Sequence, residues 1–247
     1  MSQLFDYKTA ALVSSLMPGG HKSRHRGPGS DFYRKTHFLD EPDPSRIDLN
    51  ASLTDPFESI QVRSYRQRSK LDIVVLVDGS SSMLYDNKVA LTTQLFDSIS
   101  RSVEAAGDEM SAFFITDQLR PLDSTEALKQ AFSTVTPEQN RASAYTEIQR
   151  TLPVRPALIF LISDFHWPES QLHGLLTAMS AHRVVPVITW QSREYEDYPL
   201  WRFVEMTDLE TGKSALVFVT RSQRQLLKKR YQQRQEYLNT QCRASNQ

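Results

Sequence analysis

At 247 residues the chain is long enough to bury a full core, as one large domain or as a domain with an appendage. Its 29 Lys and Arg match its 29 Asp and Glu, so no global field draws it to nucleic acid or to an acidic membrane. The single cysteine, Cys242, excludes an internal disulfide and fits a reducing compartment. No apolar run approaches the roughly 20 residues of a membrane helix, and no charged-then-apolar leader is visible. The expectation is a cytoplasmic protein with no membrane partner.

Ala10, Ala11, Leu12, Val13 and Leu16 predict a short helix that stops at Pro18-Gly19-Gly20. Residues 21–70 are polar and locally basic. Candidate strands lie around 32–38 and 59–67, the second alternating Ile60, Val62 and Tyr65 with polar neighbours. Ile73-Val74-Val75-Leu76-Val77 is an unbroken apolar run, as expected of a strand buried on both faces of a parallel sheet. Val89, Leu91, Leu95, Phe96, Ile99 and Val103 then mark a helix over 88–106, stopped by Gly107.

A strand over 111–116, a helix capped by Ser124 and running to 132, and a short helical piece over 146–152 follow. Residues 157–162 form a second run of the fully buried type. A helix over 169–181 and a strand over 183–190 complete an alternating series. The series predicts an α/β fold with a doubly wound, mostly parallel sheet. Pro186 puts the last strand near an edge. Strands at 203–206 and 215–219 flank a hairpin turn at Glu210-Thr211-Gly212-Lys213. Residues 221–240 predict a basic helix with Leu227, Tyr231 and Leu238 on one stripe. The expected organisation is an N-terminal β-containing extension over 1–69 packed on the main domain, a site-bearing α/β domain over 70–190, and a C-terminal hairpin and helix over 191–247.

The strongest local signal is Asp78-Gly79-Ser80-Ser81-Ser82-Met83, directly after a buried strand. Ligands of open α/β sheets bind at the carboxyl ends of strands. Oxygen side chains at i, i+2 and i+4 of a turn can converge on one hard cation, and Mg²⁺ takes about six oxygens while keeping waters readily. Asp164 stands at the same end of the other buried strand, and Thr146 heads the short helical piece between them. With hydroxyls as direct ligands and carboxylates acting through water, such a metal stays electrophilic and keeps one position open. The alternative for the serines is a polar turn that caps the next helix.

Asp78-x-Ser80-x-Ser82 with Asp164 in Ser-Asp-Phe resembles the metal-ion-dependent adhesion site of von Willebrand factor A domains. Gly20-His21-Lys22-Ser23-x-x-Arg26-Gly27-x-Gly29-x-x-Phe32, Arg46-Ile47-Asp48 and Asp208-Leu209-Glu210-Thr211-Gly212 resemble the bacterial family called domain of unknown function 58. Leu49 stands where that family usually has tryptophan, Glu41-Pro42-Asp43-Pro44 replaces a Gly-Asp-Asp stretch, and Ala144-Tyr145-Thr146 replaces a Gly-Gly-Thr-like loop. Thr146 is therefore the least certain ligand, with Ser143 as fallback.

The resemblance implies a metal site of Asp78, Ser80, Ser82, Thr146 and Asp164 holding Mg²⁺, Mn²⁺ or Ca²⁺. It also implies a non-enzymatic adaptor that works with a MoxR-type AAA+ ATPase on an unidentified client protein. Met83, Leu84, Phe165 and Trp167 are expected to rim the site; His166 could approach the metal face or a partner, but a lone loop histidine is more often simply exposed.

Rival chemistries fit less well. An aspartyl phosphatase needs a carboxylate at position 80, where Ser stands, and a hydrolase elbow needs Gly where Met83 stands. Gly212-Lys213-Ser214 lacks the first glycine and the helix of a phosphate loop. The competing expectation is a non-metal scaffold with a vestigial site. It would bind partners or nucleic acid through the basic arm (His21, Lys22, Arg24, His25, Arg26) and the basic C-terminal helix. A solvated helix face with few interleaved aromatics argues against nucleic acid.

Overall fold

The two apolar runs meet as neighbours. In a computed structural model, which describes residues 4–5, 7, 18–136, 143–194, 198–207 and 213–245, β3 (Asp72–Asp78) and β6 (Leu158–Ser163) pair in parallel from Ile73 opposite Leu158 to Val77 opposite Ile162. β7 (Arg183–Ile188) continues the parallel ladder at one edge, with Pro186 opposite Leu161. Pro186 thus sits where a missing N–H is tolerated.

On the other side lies β4 (Glu109–Ile115), followed by β5 (Leu119–Pro121), which reverses direction. The Glu109 N–H donates to Leu71 O and the Gly79 N–H to Ile115 O, so β3 and β4 run start beside start and end beside end. The five-stranded sheet β5-β4-β3-β6-β7 is therefore mostly parallel, as the alternating pattern predicts. β5, only three residues long, carries no periodic signal and was not expected.

Helices alternate with these strands. α2 (Lys88–Ala106) spans the predicted range and ends at Gly107, whose φ of +70° suits a residue without Cβ. α3 (Thr125–Ser133) begins where the Ser124 hydroxyl accepts from the Ala127 N–H. A 3₁₀ turn (Ser143–Glu147) leads into the short α4 (Ile148–Thr151), and α5 (Glu169–Ala178) precedes β7.

The C-terminal part belongs to the same compact unit. It comprises the β8 (Phe203–Thr207) and β9 (Ser214–Phe218) hairpin and the long α6 (Arg221–Ser245). One core cluster runs from Val74 and Leu76 through Ile159 and Leu161 to Leu172, Leu175 and, on α6, Leu238. Leu238 is on the predicted stripe. Residues 210–212 of the expected hairpin turn lie outside the described residues.

A second compact unit comprises residues 6–71 and 104–109. Its β1 (Pro18–His37) and β2 (Gln61–Ser69) form an antiparallel pair with several register shifts, and β1 begins well before the strand expected over 32–38. Pro18-Gly19-Gly20 opens β1, whereas the helix expected before it falls outside the described residues. The short α1 (Leu49–Leu53) is capped by Asp48, which accepts from the Ala51 N–H at 3.2 Å. Among the described residues no helix is long and apolar enough to cross a membrane.

Candidate metal centre at the ends of β3 and β6

Because β3 and β6 are in register, Asp78 and Ser163 leave the sheet side by side. The Ser163 hydroxyl donates to Asp78 Oδ2 at 2.6 Å and accepts from the Phe165 N–H at 2.7 Å. Asp78 Oδ1 accepts from the Ser80 N–H at 2.8 Å, folding the chain back over the strand end. Gly79 permits this turn: an alanine Cβ there would lie 2.7 Å from the Phe114 ring and 2.8 Å from Ile115 O. The Ser80 and Ser82 hydroxyls are 3.0 Å apart, and the Lys88 ammonium bridges Ser82 O at 3.3 Å and Asp164 Oδ2 at 2.8 Å. Asp78, Ser80, Ser82 and Asp164 thus form one connected cluster. Asp78, Ser80 and Asp164 are buried, and half-buried Ser82 is the member that meets solvent.

Thr146 lies on a separate turn. The 143–147 turn is anchored beside the end of β4, where the Ala144 N–H donates to Thr116 O at 3.0 Å and the Ser143 hydroxyl to Asp117 Oδ1 at 2.9 Å. Thr146 itself is exposed. Among the described residues no hydrogen bond links Thr146 or Ser143 to Asp78 or Asp164. The expected apolar rim is also different: Met83, Phe165 and Trp167 are 0%, 0% and 4% exposed, so they are core residues beneath the site.

Three residues at the centre were missed from sequence. Lys88, the first residue of α2, is buried and donates to Asp164 Oδ2 at 2.8 Å, Glu194 Oε1 at 2.9 Å and Ser82 O at 3.3 Å. Glu194, from the 3₁₀ turn after β7 (Ser192–Glu194), also faces His166 Nε2 at 3.4 Å. The Trp190 indole N–H donates to Asp164 O at 2.6 Å. A signal for Lys88 did exist. It stands four and eight residues before Thr92 and Phe96, on the stripe that α2 buries.

The loop after Asp164 is held firmly. Phe165 adopts φ +53°, a left-handed conformation costly for a bulky side chain. Arg234 of α6 donates to Phe165 O at 2.9 Å and Trp167 O at 2.6 Å. Arg234, expected on a solvated basic face, instead clamps this loop.

The electrostatics are lopsided. Burial, then the neighbouring Asp164 charge, raises the Asp78 carboxyl to about 7. Burial also works against the charge of Asp164, but His166 and Lys88 outweigh it and hold that carboxyl below its ordinary range. Burial opposes the charge of His166 too, yet Glu194 and Asp164 carry it above its ordinary value. Lys88 and His166 meet Asp164 and Glu194, whereas the buried Asp78 has no ion-pair partner among the described residues. A hard divalent cation fits that donor set, because it would relieve an uncompensated buried carboxylate and accept hydroxyl oxygens. Among the described residues no group of three or more His, Cys, Asp or Glu is disposed to hold a metal, and the donor set here draws on the Ser80 and Ser82 hydroxyls.

With this geometry in view, comparison with known proteins gives one decisive match, over residues 46–239. The chain belongs to the DUF58 family, described as proteins of unknown function. Two solved structures are similar to it. One is an aerotolerance-related membrane protein from Bacteroides fragilis carrying multiple mutations to serine, at 12% identity and a TM-score of 0.40, covering 64% of this chain and 87% of that one. The other is the conserved hypothetical protein BatB from Bacteroides thetaiotaomicron, at 12% identity and a TM-score of 0.38, covering 64% and 85%. No curated protein matches the DUF58 chain.

Proposed function

We propose that this DUF58 chain is a metal-dependent protein-binding adaptor with a von Willebrand factor A-like, doubly wound domain. In this reading Asp78, Ser80, Ser82 and Asp164 hold Mg²⁺, or Mn²⁺ or Ca²⁺ in its place. The adaptor works in the cytoplasm with a MoxR-type AAA+ ATPase on a client protein or enzyme under maturation or assembly, and it catalyses no reaction itself. The observation that carries the reading is the cluster of Asp78, Ser80, Ser82 and Asp164 at the adjacent carboxyl ends of β3 and β6, joined through Lys88.

The chain's own residues divide the work. Ser80 and Ser82 present hydroxyl oxygens, and Asp78 supplies buried negative charge behind them. Gly79 lets the turn lie against β4, and Arg234 and Trp190 fix the backbone around Asp164. A bound divalent ion would supply an electrophilic vertex for an aspartate or glutamate of the partner, a short charge-assisted contact whose strength depends on excluding water. Thr146, exposed on the 143–147 turn, is the further candidate ligand.

The test is co-purification with a MoxR-type ATPase from the same genome, in magnesium and in chelator. Asp78→Ala is expected to lose the partner in magnesium as fully as the unaltered chain does in chelator, while its circular dichroism stays native. Retention of the partner by that variant contradicts the role given to the metal. One observation favours the second reading, a scaffold with a vestigial site: Lys88 already neutralises Asp164. A scaffold would bind its partner equally with and without magnesium.

A further inference from the structure

Lys88 is a lysine in a place where lysine is rarely found. It is 1% exposed, on the first turn of a helix, facing the acidic cluster rather than solvent. An ammonium has three hydrogens, and Lys88 finds three acceptors: Asp164 Oδ2 at 2.8 Å, Glu194 Oε1 at 2.9 Å and Ser82 O at 3.3 Å. The acceptors come from three separate segments, so α2, the turn after β3, the end of β6 and the turn after β7 converge on one charge. Asp164 is engaged on both oxygens, Oδ2 by Lys88 and Oδ1 by the His166 N–H at 3.3 Å. Asp78, in contrast, is held by hydroxyl and N–H donors of Ser163 and Ser80 and has no cation partner among the described residues.

We propose, building on the metal reading above, that Lys88 is the resident counter-cation of this site. It holds Asp164 as an outer carboxylate, turned away from direct coordination, so that a divalent ion keeps a water-filled position open to a partner's acid. Two consequences follow from the geometry. The cluster has a cation of its own when no metal is bound, so the fold does not depend on metal to neutralise Asp164. A divalent ion enters beside an existing positive charge, so it binds more weakly than the carboxylates alone would dictate. Lys88 is a positioning residue here, acting through Asp164.

The experiment uses the full chain as wild type, Lys88→Met and the double variant Lys88→Met/Glu194→Gln. Three readouts apply: calorimetric titration with Mn²⁺, water-proton relaxation of the bound Mn²⁺, and thermal melting in EDTA with and without added Mn²⁺. Both variants are expected to bind Mn²⁺ at least tenfold more tightly than wild type and with fewer exchangeable waters, because Asp164 is freed to coordinate. Lys88→Met is expected to melt lower than wild type in EDTA and to recover in Mn²⁺. The double variant removes one charge of each sign, so it decides the matter if the single variant fails to fold. A merely structural lysine would give the opposite sign, with weaker Mn²⁺ binding in both variants. That result, or equal affinity and equal water count in all three chains, overturns the role of Lys88 and leaves the metal reading standing. Absence of Mn²⁺ heat in all three chains sinks the metal reading, and the role of Lys88 with it.

Discussion

Asp48, in the N-terminal unit, meets Lys35 at 3.2 Å and Arg63 at 3.1 Å and accepts the Ala51 N–H, whereas among the described residues Asp78 at the end of β3 has only hydroxyl and N–H donors and a second carboxylate beside it. The two side chains are similarly covered, at 5% and 0% exposure, yet they shift in opposite directions. The Ala51 N–H, then Arg63 and Lys35, lower Asp48 to about 2, while burial and Asp164 raise Asp78 to about 7. Burial alone therefore does not mark a functional carboxylate. Asp48 has cations in excess and is satisfied as a helix cap, whereas the cluster around Asp78 has carboxyl groups in excess and Lys88 serves only one side of it.

The largest expected effect comes from breaking the more deeply buried of the two ion pairs that Lys88 makes there. Asp164→Ala leaves the Lys88 ammonium with Glu194 alone in a site where both partners are nearly inaccessible. Loss of one partner from such a pair costs about 3–5 kcal/mol. Urea denaturation should show a matching fall, and a loss below about 1 kcal/mol would mean the pair is solvated.

Next is the clamp. Arg234→Ala removes two charge-assisted hydrogen bonds from the strained loop at Phe165, at about 1.5–3 kcal/mol for bonds to a charged group. The same denaturation series reads it, and an unchanged midpoint would remove Arg234 from the account. Gly79→Ala, which drives a methyl into Phe114 and the fixed Ile115 carbonyl, should cost about 1–3 kcal/mol through overpacking. A stability equal to the parent would show that the turn over β3 has room to move.

The smallest effect sharpens the other half of the comparison. The carboxyl of Asp48 lies lower in the folded chain than its unfolded value of 3.8. Its contribution is therefore complete above that value and is lost as pH falls through about 2. Asp48→Asn should flatten the acid limb of stability below pH 4, as followed by thermal melts across pH. An unchanged acid limb would assign that limb to other carboxylates.

Much of this centre was legible in the sequence because its parts are local. Unbroken runs at 73–77 and 158–162 announce strands buried on both faces, and Asp78 and Asp164 follow each at the end where α/β sheets bind ligands. What escaped notice is non-local. Glu194 reaches Lys88 across more than 100 residues, and no period or motif links them. Lys88 reads as a polar helix start until its place on the buried stripe is counted. Thr146 follows the order of the motif on a turn pinned to Thr116 and Asp117, and among the described residues no hydrogen bond joins it to Asp78 or Asp164. β5 is too short to show alternation, and the length of β1 was hidden by the polar, basic composition of residues 21–31.

The most direct test is a crystal of the full chain soaked in manganese and measured for anomalous scattering. The account predicts one peak bounded by the Ser80 and Ser82 hydroxyls and the Asp78 carboxylate, with Lys88 still on Asp164. Well-ordered side chains around Asp78 with no peak among them would contradict it.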